Sequence, residues 1–382
     1  MSVQEPVLHP ARTASSEAEA GGVLTIDLAA IAANWKRLYG ITIPVECAAV
    51  VKADAYGCGL ERVVPALAKV GCRTFFVADV AEGRRVRALA PQAVIYILNG
   101  LMPNTAPSFA DANLRPVINS TTELAEWDGF VASRNWRGGA ALHIDTGMNR
   151  LGLTMDEAVA IAQRVQKEDH GFTLLMSHLA CADTPAHPMN DRQIRLFREI
   201  RILFRGISSS LANSAGIFLG GTAHCDLVRP GIALFGGNPV PGQKNPMRPV
   251  VELKGRIAQV RELKRGDTVG YGASWTAARP SRVAVVATGY GDGYFRSAGA
   301  GRSKAPAEVI IAGRHCPLVG RISMDLLAVD VTELAAGQAR RGEFATLIGG
   351  DIGIDDLAAA CGTIGYEVLT SLGRRYHRNY RD

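Results

Sequence analysis

Between residues 45 and 231 the chain repeats one pattern eight times: a short apolar or β-branched run, then a longer stretch rich in Ala, Leu and Arg. The runs are VECAAVVKA, TFFVAD, AVIYILNG, RPVIN, ALHIDT, TLLMSHL, SLANS and DLVRPG, and a further run, VLTIDL, opens the series. The stretches between them, such as 61–69, 80–89, 155–166 and 191–204, set apolar residues three and four apart, the spacing of a helix with one buried face. Repeated βα units build a parallel sheet. Eight strands fit a closed barrel, whereas an open doubly wound sheet more often stops at five to seven. The expected fold is therefore α/β, a (β/α)8 barrel of the TIM type. At 236–250 the texture changes to GGNPVPGQKNPMRPV, a Pro/Gly/Asn-rich linker, and beyond it come VELKGRIAQVREL, RVAVVATGYG, AEVIIAGRHCPLVG, LLAVDVTEL and FATLIGG. These predict a second, mainly-β domain that closes with a helix-like IDDLAAACGTIGYEVLTSL. The division is then 1–22 as a mobile tail, 23–240 as the barrel and 241–382 as the β domain.

In a parallel barrel the chemistry lies at the C-terminal ends of the strands. Those ends carry Lys52, Arg150, His178, Asn213 with Ser214, and Arg229 with Gly231. Singly, each has a plain structural reading: a solvated loop lysine, a hydrogen-bonded core histidine, an arginine in an ion pair. Polar or charged groups at five of eight strand ends, on strands otherwise apolar, favour a site. Lysine is scarce here, 8 of 42 basic residues, so Lys52 at the end of an apolar run is not one more solubilising charge. The loops after strands seven and eight are the usual phosphate site of such barrels, and here NSAG and RPGIALFGG offer the Ser214 hydroxyl and close backbone approach at Gly231 and Ile232. An amine in an apolar setting near other cations loses basicity and becomes a nucleophile toward an aldehyde. Phosphate and lysine together suggest pyridoxal 5'-phosphate.

Composition narrows the partners. The net charge of +6 is spread over scattered arginines without a basic run interleaved with aromatics, which argues against nucleic acid. No apolar segment reaches transmembrane length and the N-terminus has no signal-peptide core, so a cytoplasmic protein without membrane contact is expected. The seven cysteines are dispersed and never form a C-x-x-C pair, so neither a disulfide framework nor a metal site is expected.

VVKADAYGCGL resembles the cofactor-lysine motif of the alanine racemases, V-K-A-N-A-Y-G-H-G. DTGMNRLGL, SHLACAD, NSAG, VRPGIALFG, VGYGASW, GYGDGYFR, GRISMDL and GYEVLTSLGRR are similar to further motifs of that family, in the family's order, from about residue 24 to 376. The resemblance implies a pyridoxal-phosphate enzyme that interconverts L- and D-alanine as a homodimer with shared active sites. It implies that Lys52 carries the cofactor and is the base on one face of the substrate, and that Tyr271 from the partner's β domain is the base on the other. Tyr56, Ser214, Gly231, Ile232 and Tyr366 would contact the phosphate, and Asn213 would be a further cofactor contact. Arg229 would meet the pyridine nitrogen, and because a guanidinium cannot take up the ring's proton the ring stays unprotonated. His178 would bond Tyr271, with Arg229 behind it. Arg150 would reach the cofactor's phenolic oxygen and the substrate carboxylate, Met324 would offer that carboxylate its backbone N–H, and Tyr290 with Asp325 would line the channel through which substrate arrives.

One position departs from the resemblance. Many members carry a carbamylated lysine seven residues before the arginine matched by Arg150, and here that residue is His143. An imidazole forms no such stable carbamate, so His143 is expected to stay neutral and Arg150 to be held by another acceptor, a side-chain oxygen or a halide. Two rivals follow from the same residues: a racemase of another or broader range of amino acids, such as serine, and a non-catalytic carrier of the cofactor. The long domain containing VGYGASW argues against the carrier, which would be a lone barrel.

Overall fold

The computed structural model describes residues 16–136, 138–167, 171–299 and 307–382. The first strand, β1 (Gly22–Asp27), leads into a helix over Leu28–Thr42 that is capped by the Asp27 carboxylate on the Ala30 N–H. The barrel then begins. Its first strand is two short segments, β2 (Glu46–Cys47) and β3 (Ala49–Val50), and it continues with β4 (Thr74–Val77), β5 (Val94–Ile97), β6 (Arg115–Ile118), β7 (Ala140–His143), β8 (Phe172–Met176) and β9 (Ser208–Ser210). β3 to β9 pair in parallel in chain order. The eighth strand, β10 (Leu227–Val228), pairs with β2, while the Ala48 N–H donates to the Val228 carbonyl (3.0 Å) and the Arg229 N–H to the Ala212 carbonyl (2.9 Å). Those bonds close the ring, and all eight expected runs lie in it.

The helices start where local chemistry dictates. Asp79 and Ser120 cap the helices Val80–Leu89 and Thr121–Arg134 by accepting from the Glu82 and Glu123 amides. The helix expected over 191–204 runs from Pro188 to Arg201 instead, because Pro188 pre-sets the first turn and the His187 ring accepts from the Met189 N–H. The ring of strands is filled, not hollow: Phe76 stacks on Tyr96 at 5.0 Å, and the Tyr96 hydroxyl meets Thr173 Oγ1 at 2.9 Å beside the Arg115 guanidinium.

The second domain is an antiparallel sheet of β11 (Val251–Leu263), β14 (Ser281–Val286), β15 (Glu308–Ile311), β16 (Arg314–Val319), β17 (Leu327–Asp330) and β18 (Phe344–Ile348), with a small hairpin of β12 (Thr268–Val269) and β13 (Trp275–Thr276). β11 is thirteen residues long and pairs with both β14 and β18, which curls the sheet back on itself. Its first half alternates buried and half-buried residues, with Val251, Leu253 and Ile257 inside.

Four features differ from expectation. β1, assigned to the barrel, pairs with β11, so the chain starts in the second domain and crosses into the barrel afterwards. Residues 1–15 of the expected tail lie outside the described residues, but Ser16–Gly21 is docked: Arg256 donates to the Glu17 carbonyl at 2.8 Å, and a Cβ on Gly21 would meet the Ala287 carbonyl at 2.6 Å. The closing helical run is two helices, Ile354–Cys361 and Gly365–Ser371, broken at Gly362, which has φ +71°. After them β19 (His377–Arg381), whose polar HRNYR gives no strand signal, pairs in parallel with β1. Among the described residues no helix is long and apolar enough to cross a membrane.

Candidate active site

A cavity of about 450 Å³ opens at the C-terminal ends of the barrel strands. Lys52, Tyr56, Arg150, His178, Asn213, Ser214, Arg229, Gly231, Ile232 and Tyr366 all line it, with His143 beside them and Leu98, Asn99, Val117, Leu151 and Met176 on its walls. Residues from Lys52 to Ile232 meet because the barrel brings every strand end to one rim, and Tyr366 joins them from a helix of the second domain.

Lys52 follows the last barrel-strand residues directly, and the backbone after it does something the sequence does not announce. Ala53, Asp54, Ala55 and Tyr56 all have φ between 53° and 55°, with ψ near 50° for the first three, so ADAY is a turn of left-handed helix built from L-residues without a glycine. Such a conformation costs about 1–2 kcal/mol per residue, and only its surroundings can hold it. The Ala55 N–H bonds the Val51 carbonyl at 2.9 Å and the Gly57 N–H the Ala53 carbonyl at 2.8 Å. Gly57 and Gly59 then pass against the C-terminal segment, where a Cβ would come within 2.3 Å of the Leu369 carbonyl and of the Tyr380 hydroxyl. The turn sends Tyr56 back into the barrel, where it is buried and stacks on Phe235 at 4.7 Å.

The cavity has two ends of different chemistry. At one, Arg229 is buried and bonded only to neutral partners among its described contacts: Ser210 Oγ, the Ser177 carbonyl (2.7 Å), the Leu211 carbonyl (3.4 Å) and His178 Nδ1 (3.4 Å). Burial pushes its pKa down to about 10, so it remains a cation at neutral pH. The Arg229 guanidinium can only donate, here to His178 Nδ1, so the neutral ring carries its one proton on Nε2, which lies 3.5 Å from the Asn213 amide nitrogen. Its pKa lies well below the usual value, first from burial and then from Arg229, Arg150, His143 and Lys52. Lys52 is lowered too, by burial and then by Arg150, with Glu82 opposing. His143 is buried and its Nδ1 meets Asn119 Oδ1 at 2.8 Å. Because Asn119 Nδ2 donates to the Val117 carbonyl, its oxygen faces the ring, so His143 carries its proton on Nδ1 and keeps a lone pair on Nε2. Burial, followed by Arg229, pushes the His143 pKa down to about 4, so this position is neutral, as expected from its chemistry.

At the other end the groups are hydroxyls and backbone N–H. Ser214 Oγ accepts from the Gly231 N–H (2.8 Å) and the Ala233 N–H (3.3 Å). Tyr56, which is buried, and Tyr366, which is 43% exposed, face each other at 6.1 Å, and loss of hydration raises the pKa of both, that of Tyr366 to about 12, so both stay protonated donors. A Cβ on Gly231 would stand 2.2 Å from the Tyr56 hydroxyl; only glycine lets strand eight pass this close. Neutral donors around a shape cut to the backbone suit a phosphate, and the cation-rich end suits a second anionic group.

Tyr271, Met324, Tyr290 and Asp325 do not line this cavity. They lie on the second domain and are exposed, Tyr271 by 72%. Tyr290 and Met324 share one corner, where the Gly291 N–H donates to the Met324 carbonyl at 2.8 Å, and Arg375 ties Asp325 (2.8 Å) to Asp292 (2.7 Å). Tyr271 borders a separate shallow cavity with Arg321, Ser323 and Leu326. Sequence reading missed the supporting groups: Asn119 behind His143, Ser177 and Ser210 behind Arg229, and Glu82 behind Lys52. Asn119 and Ser210 end barrel strands and were findable on that ground; Glu82 sits inside a helix and carries no such sign.

Residues 26–239 match the family described as "Alanine racemase, N-terminal domain" and residues 250–380 that described as "Alanine racemase, C-terminal domain". The chain is 54% identical over 362 residues to the alanine racemase of Methylobacterium sp. (strain 4-46), covering 95% of this chain and 98% of that one. It is 51% identical over 360 residues to that of Methylobacterium nodulans, covering 94% and 96%. Among solved structures, alanine racemase from Bartonella henselae with covalently bound pyridoxal phosphate is similar with a TM-score of 0.89 at 36% identity, covering 94% of this chain and 99% of that one.

Proposed function

The chain belongs to the alanine racemase family, and on that premise we propose that it interconverts L- and D-alanine with pyridoxal 5'-phosphate, using Lys52 on one face of the substrate and Tyr271 of a second copy on the other. The observation that carries this reading is the two-ended cavity in which Lys52 shares a space with Arg150, His178 and Arg229 while Ser214, Gly231 and Tyr56 form the far wall. The donor set fits the cofactor: Ser214 Oγ, the Gly231 and Ile232 N–H groups and the Tyr56 and Tyr366 hydroxyls would hold the phosphate, and Arg229 the pyridine nitrogen. When bound, the cofactor draws electron density from the substrate's Cα–H bond and so makes that proton removable.

The chain's own residues do the rest. Lys52 Nζ, already less basic through burial and Arg150, is suited to taking and returning the Cα proton near neutral pH. Arg150 orients the substrate carboxylate. A phenol is a weak base on its own, with a pKa of about 10, and Tyr271 of the second copy would gain from the neutral His178, with Arg229 behind it, at the moment it gives up its proton. Met324 of that copy would add a backbone N–H to the carboxylate, and Tyr290 with Asp325 would border the access path. The exposed state of Tyr271 within one chain supports a homodimer in which each site is completed by the other copy. Because enantiomers have equal free energy, polarimetry should follow L-alanine and D-alanine to the same optically inactive mixture. Failure to racemise alanine while racemising L-serine would replace the substrate in this reading.

A further inference from the structure

We infer that Glu82 is a positioning residue for Lys52: its carboxylate, reaching across from the neighbouring βα unit, holds the left-handed turn that aims the lysine into the cavity. The inference rests on the reading of Lys52 as the reacting base, but its geometry stands apart from that reading. Glu82 is the third residue of the helix Val80–Leu89, whose cap is Asp79. In the usual reciprocal arrangement a glutamate there turns back to the N–H of its own cap. Here Oε2 instead accepts from the Ala78 N–H at 2.9 Å, and Oε1 leaves the helix to accept from the Asp54 N–H at 3.2 Å. One carboxylate therefore ties the end of the second barrel strand to the middle of the left-handed turn that follows the first.

The other side of that turn is held differently. Asp54 Oδ1 accepts from the Leu60 N–H at 3.2 Å and from Arg85 Nη2 at 2.6 Å, and Arg85 also pairs with Glu61. The Leu60 contact fastens the turn to the helix it leads into, Leu60–Lys69, while Arg85, on the same helix as Glu82, bridges the Asp54 side chain to Glu61 of that helix. Glu82 alone of these carboxylates reaches a backbone amide inside the strained residues from the second barrel unit. Lys52 follows Val51 with no intervening residue and precedes Ala53, the first left-handed residue, so a relaxed turn would redirect its Cα–Cβ bond. The charged groups acting on Lys52 are Arg150, which opposes its protonation, and Glu82, which favours it. Glu82 thus sets both the direction and part of the field of the same amine.

Hydrogen exchange on the full-length holoenzyme tests this without relying on turnover. Glu82→Ala should speed exchange of the amides in 52–60 by roughly tenfold or more, the effect of losing a charge-assisted bond. It should lower kcat by about ten- to a hundredfold with little change in KM, since a displaced base costs the chemical step more than binding. Glu82→Gln keeps one acceptor oxygen and should fall between parent and Glu82→Ala; if Glu82→Ala does not fold, this variant carries the test. Asp79→Ala removes the cap of the same helix and should leave exchange in 52–60 within about twofold of the parent. Unchanged exchange in 52–60 in both Glu82 variants, or equal loosening in Asp79→Ala, overturns the inference. Racemisation retained in Lys52→Ala would instead remove the role of the lysine while leaving the exchange result intact.

Discussion

The two halves of the proposed site are built by opposite means. In the barrel half four groups are held by the chain that supplies them: Arg229 by Ser177 and Ser210, His143 by Asn119, Ser214 by two backbone amides, and Lys52 by a strained turn. The half on the second domain presents Tyr271, Met324 and Tyr290 to solvent. Burial lets the first half perturb its titrating groups in isolation. The second half has no such burial of its own and depends on whatever covers it. The lesson is that a chemically asymmetric pair of bases can come from one sequence if one is buried within the fold and the other only on assembly.

The sharpest way to break this comparison is to remove one base from each half. Lys52→Ala should abolish alanine racemisation, by about 10⁴-fold or more, in both directions, as read by polarimetry. Full turnover in this variant would empty the barrel half of its role. Tyr271→Phe should reduce both directions by about 10²–10⁴-fold while leaving cofactor content unchanged, because Tyr271 is not among the groups proposed to hold the cofactor. Mixing the two inactive proteins should regenerate activity in mixed dimers, each carrying one intact pair of halves. No recovery after demonstrated subunit exchange would place both halves in a single chain.

Histidines in the two regions should respond to pH with opposite signs. His143 is buried with its pKa depressed to about 4, so its contribution is fully present above its ordinary value of about 6.5 and is lost as pH falls toward 4. That loss is on the order of 3 kcal/mol, and a denaturant series on His143→Gln should show a flatter acid limb than the parent over that window. His315 on the second domain is exposed, lies 2.9 Å from Glu308 and 3.0 Å from Asp351, and has its pKa raised, first by the bond to Asp351. Its contribution is present below about 6.5 and disappears as pH rises through the raised value. Solvent screening keeps it within about 1 kcal/mol. Equal slopes in His143→Gln and His315→Gln would mean that burial does not distinguish the regions.

What the sequence discloses follows the same division. The eight barrel strands were legible because each couples an apolar run to a helical period, and the strand-end rule then pointed to Lys52, Arg150, His178, Asn213, Ser214, Arg229 and Gly231, all of which line the cavity. Pairing of β1 with β11 was not legible, since VLTIDL reads the same whether its neighbours are parallel or antiparallel. β19 was invisible because HRNYR is held by its partners and not by its own propensity. The left-handed turn was the deepest miss: Ala, Asp, Ala and Tyr give no local reason for φ near +54°, and Glu82, which bonds it, is 28 residues away. For Tyr271, Met324, Tyr290 and Asp325 only the family resemblance pointed to a role; their exposure within the chain gives no sign of what they face.

The smallest expected effects come from one methyl group added to each half. At Gly231 the new Cβ would fall 2.2 Å from the Tyr56 hydroxyl, and Tyr56 cannot retreat easily because it is buried and stacked on Phe235. Gly231→Ala should therefore cost about 1–3 kcal/mol as overpacking, and it should weaken cofactor retention on dialysis, since the ring and the strand-eight backbone belong to the same wall. At Gly272, next to Tyr271, the backbone has φ +72° and the new Cβ would come 3.0 Å from Arg321 Nη1, the far end of a flexible side chain that can move aside. Gly272→Ala should cost about 1 kcal/mol, from the backbone conformation and not from packing. Cofactor retention should not change, and turnover should fall only through the displaced phenol. A cofactor defect in Gly272→Ala, or its absence in Gly231→Ala, would mean that the two halves are mechanically coupled within one chain, and the contrast between a self-held and an assembly-held half would have to be given up.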